Sequence, residues 1–251
     1  MTSSPFRLDG KTILITGASS GIGRATAIEC AAQGASCCVL MARSEERLAE
    51  TANMMSDKCQ VMIMPCDLSD TEEVADTVAE LPTLDCVVCN AGTNKMQLVS
   101  FFNEKDLENI FSINCFSPML MIKTLLKKKK LSKNASVVFT SSISGYSNVS
   151  PANGIYGASK SALTAYMRYA ALELASKGIR FNAVHPGRIE TPLINNSLIG
   201  DEAVKNDIAT NPLKRYGRPE EVAYAIIYLL SDAAAWVTGT SLVIDGGKSL
   251  V

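Results

Sequence analysis

The stretch TILITGASSGIGRATAIECAAQG, Thr12 to Gly34, decides the fold. Its first five residues are a short, nearly continuous apolar run that reads as a strand covered on both faces. Its last part, GRATAIECAAQG, has a helix pattern and ends at Gly34, where a helix C-terminal glycine belongs. Between the two, Gly17, Gly21 and Gly23 make a tight turn. Backbone N–H groups in such a turn can approach a phosphate closely, and the helix N-terminus adds its partial positive charge. A glycine cluster alone signals only a turn; its place between a first strand and a first helix gives it weight.

Outward from this unit the same rhythm repeats. Apolar runs at 12–16, 36–41, 60–64, 84–89, 135–141, 179–185 and 241–244 alternate with longer amphipathic segments. Strand, helix, strand throughout means right-handed crossovers, so the expected fold is α/β: a single-domain Rossmann fold, doubly wound, with about seven parallel strands and helices on both faces. No linker, composition break or repeat divides residues 1–251.

Apolar residues make up 47% of the chain and charged ones 20%, which suits a packed core and argues against disorder. The net charge of −1, with Lys and Arg spread out, argues against nucleic acid or an anionic membrane as the main partner, and neither is expected. MTSSPFRLDG lacks the apolar core of a signal peptide, and later apolar runs are interrupted before about 18 residues, so a cytoplasmic protein is expected. All eight cysteines lie in the first half. Cys86 and Cys89 have the spacing of a redox or zinc motif, but LDCVVC reads as a buried strand in which side chains three apart face opposite ways. With one histidine in the chain, His185, zinc lacks partners, and no metal site is expected.

Ligands of such sheets bind beyond the carboxyl ends of the strands. The first of these ends carries Gly17, Ser19, Ser20, Gly21, Ile22 and Gly23. After the second strand, where a carboxylate usually holds a free ribose 2′-hydroxyl, the chain has Ala42 and Arg43, with no acid until Glu45. Arg43 can pair with a 2′-phosphate, helped by Ser44 and by Ser19 or Ser20, which favours NADP(H) over NAD(H). The bland alternative is a solvated arginine near a helix start. After the third strand Asp67, followed by Leu68, can accept from an adenine amine, or Asp67 or Ser69 can cap the next helix. The fourth strand delivers Asn90, Ala91 and Gly92, small enough for a cofactor to lie against the backbone.

With these features, and with SIN, YGASK, HPGRIETPL, GRPEEVA and TGTSLVIDGG in order behind them, the chain resembles the single-domain branch of the short-chain dehydrogenase/reductase family, which includes the 3-oxoacyl-[acyl-carrier-protein] reductase-like members. The resemblance spans nearly the whole sequence. It implies that Tyr156, Lys160, Ser142 and Asn114 are the catalytic set, and that Asn90 to Gly92 and Pro186, Gly187, Ile189 and Thr191 wall the nicotinamide side of the cleft. One departure is Cys89, where the family often has a first asparagine.

The chemistry of these residue types agrees. A tyrosine with an ordinary pKa of about 10 is a poor proton shuttle near neutrality. A lysine one helical turn away, roughly 6 Å along the axis, lies on the same face, and its charge favours the phenolate. Tyr156 is then the acid in reduction and the base in oxidation. The resemblance further implies that Lys160 also binds the nicotinamide ribose, that Ser142 polarises the substrate oxygen, and that Asn114 holds a relay water by interrupting its helix. Ser141, Ser144 and Tyr146 are rival donors nearby, and His185 reads as a strand-end packing residue.

The expected activity is NADP(H)-dependent reduction of a ketone, 3-oxoacyl groups included, to a secondary alcohol. Alternatives are an alcohol dehydrogenase working oxidatively on a sugar, steroid or small alcohol, and a non-catalytic dinucleotide-binding redox sensor. Residues 188–215 break the strand and helix rhythm and make a candidate substrate lid, whose Leu193, Ile194, Leu198 and Ile199 suggest an apolar or mixed substrate. Lys127 to Lys130 fit either a carrier-protein partner for a carrier-bound substrate or cations that close a long helix. The resemblance also implies a homotetramer built on helices in 103–130 and 153–175, with SLVIDGG in another contact.

Overall fold

Each of the seven mainly apolar runs becomes a strand of one sheet. The computed structural model describes residues 4–195 and 200–251. Its strands are β1 (Thr12–Thr16), β2 (Cys37–Ala42), β3 (Gln60–Pro65), β4 (Leu84–Cys89), β5 (Leu131–Thr140), β6 (Arg180–Pro186) and β7 (Ser241–Ile244). They pair in the order β3-β2-β1-β4-β5-β6-β7, every pairing parallel. The expected Rossmann-type, seven-stranded architecture is therefore the one observed.

Parallel strands need crossover helices, and these fall on both faces. The helices are α1 (Gly21–Ala32), α2 (Glu45–Asn53), α3 (Thr71–Glu80), α4 (Glu104–Phe111), α5 (Ser117–Lys127), α6 (Gly154–Leu174), α7 (Pro192–Asn195), α8 (Asp201–Thr210) and α9 (Pro219–Leu230). Val78 of α3, Ile122 and Leu125 of α5 and Met167 of α6 pack on one face, against Leu14, Val87, Val137 and Phe139 of the sheet. Ala27 of α1, Leu48 of α2 and Ile226 and Leu229 of α9 pack on the other, against Ile13, Ile15, Val88 and Val138. Burying each such aliphatic or aromatic side chain contributes about 1.5–3 kcal/mol. The alternation separates the two cysteines of LDCVVC: Cys86 lies in the second layer and Cys89 in the first, and burial pushes both thiols up to about 12.

Two segments differ from the sequence reading. Strand β5 starts at Leu131 instead of 135, because Leu131 pairs with Leu84 across a register shift and Asn134 takes φ 65°. The polar run Ser132-Lys133-Asn134 concealed this extension, since strand recognition relied on apolar side chains. The lysine run also behaves differently. Helix α5 ends at Lys127, Lys129 turns the chain at φ 56°, and Lys130 is pinned with its Nζ donating to the carbonyl of Leu81.

The helical stretch Glu104–Lys127 is, among the described residues, long and apolar enough to cross a membrane by length and composition. Its Ile110, Met121, Ile122 and Leu125 are buried in the fold.

Candidate active site

The switch in strand order between β1 and β4 opens a crevice at their carboxyl ends, and the glycine turn fills one side of it. Gly17 adopts φ +66°, and a Cβ there would lie 2.9 Å from the Cα of Ala91. A Cβ on Gly23 would lie 2.2 Å from the carbonyl oxygen of Gly17 and 2.6 Å from Asn90 Nδ2. Thr16 locks the two strand ends together: its Oγ1 accepts from the N–H of Asn90 (2.9 Å) and of Ala91 (3.1 Å), while Asn90 Nδ2 donates to the Thr16 carbonyl (3.2 Å). The back of the turn is held by α1 and α2. Arg24 Nη2 donates to the Ser19 carbonyl (2.7 Å), and the buried Thr51 hydroxyl donates to that of Ala18 (2.9 Å).

Helices α2, α3 and α4 begin with side-chain caps from Ser44, Asp70 and Asn103 and with acids in the first turn. Helix α1 has neither a side-chain cap nor an acid in its first turn. Its first N–H groups and the positive end of its dipole thus face the glycine turn uncompensated, the arrangement that an anionic pyrophosphate completes. On this observation the residues present fit a dinucleotide.

Asn114 is fully buried within a π-helical turn, Ser112–Phe116, that interrupts the helix between α4 and α5. Its Oδ1 accepts from the Thr93 N–H (2.8 Å), and its Nδ2 donates to the Thr93 carbonyl (2.9 Å) and to Ser159 Oγ (3.1 Å). Gly92 lies beside it. A Cβ on Gly92 would fall 3.3 Å from both Asn114 Oδ1 and Lys160 Nζ, so the three positions share one small space.

Tyr156 and Lys160 project from the first two turns of α6, with Lys160 Nζ 5.9 Å from the tyrosine ring centroid. Lys160 is buried and donates to the Thr140 carbonyl (2.8 Å) at the end of β5. Ser142 follows two residues later. Its Oγ accepts from the Ser144 N–H (3.1 Å) and lies near enough to the Tyr156 hydroxyl to pull the phenol pKa down in part. The rival Ser141 turns away, its hydroxyl bonded to the Lys160 carbonyl (3.1 Å) and to Thr164 Oγ1 (2.9 Å).

From the sequence, Lys160 together with an oxidised nicotinamide is expected to lower the tyrosine pKa. In the structure burial raises it, and the nearby Ser142 hydroxyl only partly opposes that. Burial also strips water from the Lys160 ammonium and brings its pKa down to about 8, which weakens the charge meant to act on the phenol. Against an unfolded value of 10.5, the unfolded chain holds more of this proton between about pH 8 and 10.5, so stability rises with pH across that window. The urea-unfolding free energy of the wild type minus that of Lys160→Met should rise over this range by on the order of 2–3 kcal/mol. A flat difference would return Lys160 to an ordinary pKa.

Around the crevice, Arg43 is exposed and near enough to contribute to holding the Asp67 carboxyl below its usual range, after the hydrogen bonds from Ser69. Ser44 Oγ is used by the Arg47 N–H as the α2 cap (3.3 Å). Asp67 does not cap α3, and neither does Ser69; Asp67 Oδ1 accepts from the N–H and hydroxyl of Ser69, and Asp70 is the cap. Leu68 is buried in the core. Beyond β6, Pro186 to Thr191 cross toward the glycine turn, where Thr191 Cγ2 lies 3.1 Å from the Cβ position of Gly21. Ile189 is buried, and a Cβ on Gly187 would meet Asp245.

The excursion that follows starts and ends at one backbone clasp: the N–H of Glu190 donates to Gly217 and that of Gly217 to Arg188, both at 2.9 Å. Asp207 of α8 fastens it, pairing with Arg188 Nε (3.3 Å) and accepting from the Tyr216 hydroxyl (2.8 Å). Leu198, Ile199 and the Ile194 side chain lie outside the described residues.

Sequence reasoning missed the bracing residues. Thr16, directly before the first glycine, was a readable signal; Thr93 and Ser159 around Asn114, the Thr140 carbonyl under Lys160, and the Arg24–Thr51 brace had none.

The crevice therefore has a glycine turn on one side and a serine, a tyrosine and a lysine near one another on the other, and the relatives of the chain are oxidoreductases that act on carbonyl and alcohol groups. A family model described as enoyl-(acyl carrier protein) reductase matches residues 17–249. The chain is similar to a 3-oxoacyl-[acyl-carrier-protein] reductase of Rickettsia felis, 33% identical over 97% of this chain and 99% of that one. It is also similar to levodione reductase of Leifsonia aquatica, 34% identical over 99% and 98%. The crystal structure of a levodione reductase superposes with a TM-score of 0.91 at 32% identity, covering 98% of this chain and 100% of the other. A putative 2-deoxy-d-gluconate 3-dehydrogenase from Agrobacterium tumefaciens with bound NADP gives 0.89 at 28% identity, covering 99% and 100%. The chain belongs to the short-chain dehydrogenase/reductase family.

Proposed function

We propose that the protein is an NADP(H)-dependent reductase that converts a ketone to a secondary alcohol, with Tyr156 as the proton donor and Ser142, Lys160 and Asn114 as its partners. The observation that carries this reading is the convergence of the Ser142 hydroxyl on the Tyr156 phenol beside a buried Lys160. The nicotinamide, when bound, supplies the hydride. The chain's own residues supply the proton and the orientation. Burial keeps the Tyr156 phenol protonated, which is the form a carbonyl oxygen gaining negative charge requires. Ser142 has one proton to donate, which turns from the phenol oxygen to the substrate oxygen when a carbonyl is present, leaving the Tyr156 proton free for the same oxygen. Lys160 can leave the Thr140 carbonyl for a ribose hydroxyl and restore the proton from solvent, and Asn114, fixed by Thr93 and Ser159, sets the inner end of that route.

For the cofactor, Gly17, Ser19, Ser20, Gly21, Ile22 and Gly23 hold the pyrophosphate, Asp67 and Leu68 the adenine side, and Asn90 to Gly92 with Pro186 to Thr191 the nicotinamide side. Arg43 takes the 2′-phosphate. Residues 188–215 act as the substrate lid, hinged at the clasp between Arg188 and Gly217. The printed activities of the relatives, a 3-oxoacyl thioester reductase and a levodione reductase, support a ketone as the substrate class. A homotetramer in the cytoplasm completes the reading.

A panel of 3-oxoacyl thioesters, cyclic diketones and sugar ketones, followed at the nicotinamide absorbance with NADPH and NADH in parallel, tests it. NADPH oxidation with at least one class is expected; binding of NADPH without turnover on any would favour the redox-sensor alternative. In Arg43→Ala the NADPH dissociation constant should rise about 10- to 30-fold, as for the loss of one charge-assisted contact, while that for NADH moves less than about twofold. Equal changes for both would remove Arg43 from the phosphate.

A further inference from the structure

His185 is the only histidine of the chain, fully buried at the end of β6, and the sequence gives it a packing role. The structure places it against Ser142. Its Nδ1 lies 2.9 Å from the Ser142 carbonyl oxygen. A carbonyl has no proton to offer, so the ring must donate from Nδ1, and in the neutral ring Nε2 then carries the lone pair. Nε2 is buried and has no protein partner among the described residues, so the ring is held by its Nδ1 bond and by packing. The packing partner is Tyr146, whose ring centroid is 4.3 Å away at 38°.

The bond to His185 completes a clamp on one residue. Ser141 N–H donates to the Val184 carbonyl (2.9 Å) and Ile143 N–H to that of Pro186 (3.1 Å), so β6 grips the chain on both sides of Ser142. The Ile143 N–H and the Ser142 carbonyl are opposite edges of one planar peptide, so β6 holds one edge through Pro186 and leaves the other to a side chain. The imidazole takes hold of the Ser142 carbonyl, and the Ser144 N–H takes hold of its Oγ (3.1 Å).

We propose that His185 is a positioning residue for the reaction: by donating from Nδ1 to the Ser142 carbonyl it fixes the seat from which the Ser142 hydroxyl meets Tyr156 and the substrate oxygen. The proposal rests on the reductase reading. Burial, and to a smaller extent the charge of Lys160, hold the imidazole pKa below its ordinary value, so the ring stays neutral at working pH and His185 donates no proton to the substrate.

Two measurements test it. Because the chain has one histidine, long-range proton–nitrogen NMR of the imidazole-labelled full chain reads a single ring; neutral and protonated at Nδ1 is expected, and the Nε2-protonated tautomer or an imidazolium at pH 7 would overturn the bond. The second measurement compares His185→Asn with His185→Gln. Asparagine carries its amide nitrogen at the place of Nδ1, and glutamine carries it one bond further, near Nε2. His185→Asn should keep kcat within about threefold, and His185→Gln should lower it about tenfold or more, as expected when a close polar contact shifts by about an ångström. KM and the NADPH dissociation constant should stay within about twofold in both. If both variants melt like the wild type and lose kcat equally, or neither loses it, the positioning role is overturned. A wild type without turnover on any carbonyl would remove the reductase reading, and the role with it, while the NMR result would still decide whether the hydrogen bond exists.

Discussion

Tyr156→Phe should lower kcat by roughly three to four orders of magnitude and leave NADPH binding within about threefold of the wild type. The first figure is the upper part of the range for removing a positioned general acid. The second follows from geometry: the hydroxyl faces Ser142, while the lysine assigned to the ribose is anchored separately on the Thr140 carbonyl. The substitution removes one oxygen from a half-buried ring, leaves its packing in place, and should barely change the melting temperature. Single-turnover mixing with a substrate found in the panel, together with fluorescence titration of NADPH, measures both quantities. Turnover within tenfold of the wild type would take the proton from another donor, and Tyr146, half exposed beside His185, would be the next to test.

Gly23→Ala should be the most damaging change of a single methyl group in the crevice. Its Cβ would lie 2.2 Å from the Gly17 carbonyl oxygen and 2.6 Å from Asn90 Nδ2. The first contact is with backbone, so no side-chain rotation relieves it, and the turn must open. Overpacking of this kind costs about 1–3 kcal/mol of stability. The opening also spreads the N–H groups meant for the pyrophosphate, and a loss of about 100-fold in NADPH affinity corresponds to about 2.7 kcal/mol. Melting curves and NADPH titration of the variant are the check. A variant that melts and binds like the wild type would mean that α1 does not approach the turn this closely.

The sheet was legible because its strands are mostly apolar; TILIT and LDCVVC need no partner to be recognised, and the polar start of β5 escaped. The glycine turn was legible for a similar reason, since glycine at 17 and 23 is demanded by backbone approach. Less could be read where one polar side chain serves another. Nothing in SIN reveals that Asn114 will be gripped by the Thr93 backbone and by Ser159, because Thr93 and Ser159 lie 21 and 45 residues away in the chain. His185 looked like filler for the same reason: a hydrogen bond to a carbonyl 43 residues away leaves no local pattern. Spacing along a helix shows which charge is near Tyr156 and not how much water burial removes, and so the rise from burial could not be read in advance.

The π-helical turn at Ser112–Phe116 carries one more consequence. Each residue of a regular α-helix advances the side chains by about 100°. Winding this turn as ordinary helix would therefore change the angular phase between α4 and α5, rotating one helix's faces relative to the other's. Ile110 before the turn and Met121, Ile122 and Leu125 after it are all buried, so with this number of residues the core is cut for the offset phase. A deletion of one residue here would remove the residue that the wide turn absorbs and let ordinary helix run through with Ile110 and Met121, Ile122 and Leu125 still close to their present phase, so the core does not require the irregular turn and the seat of Asn114 does.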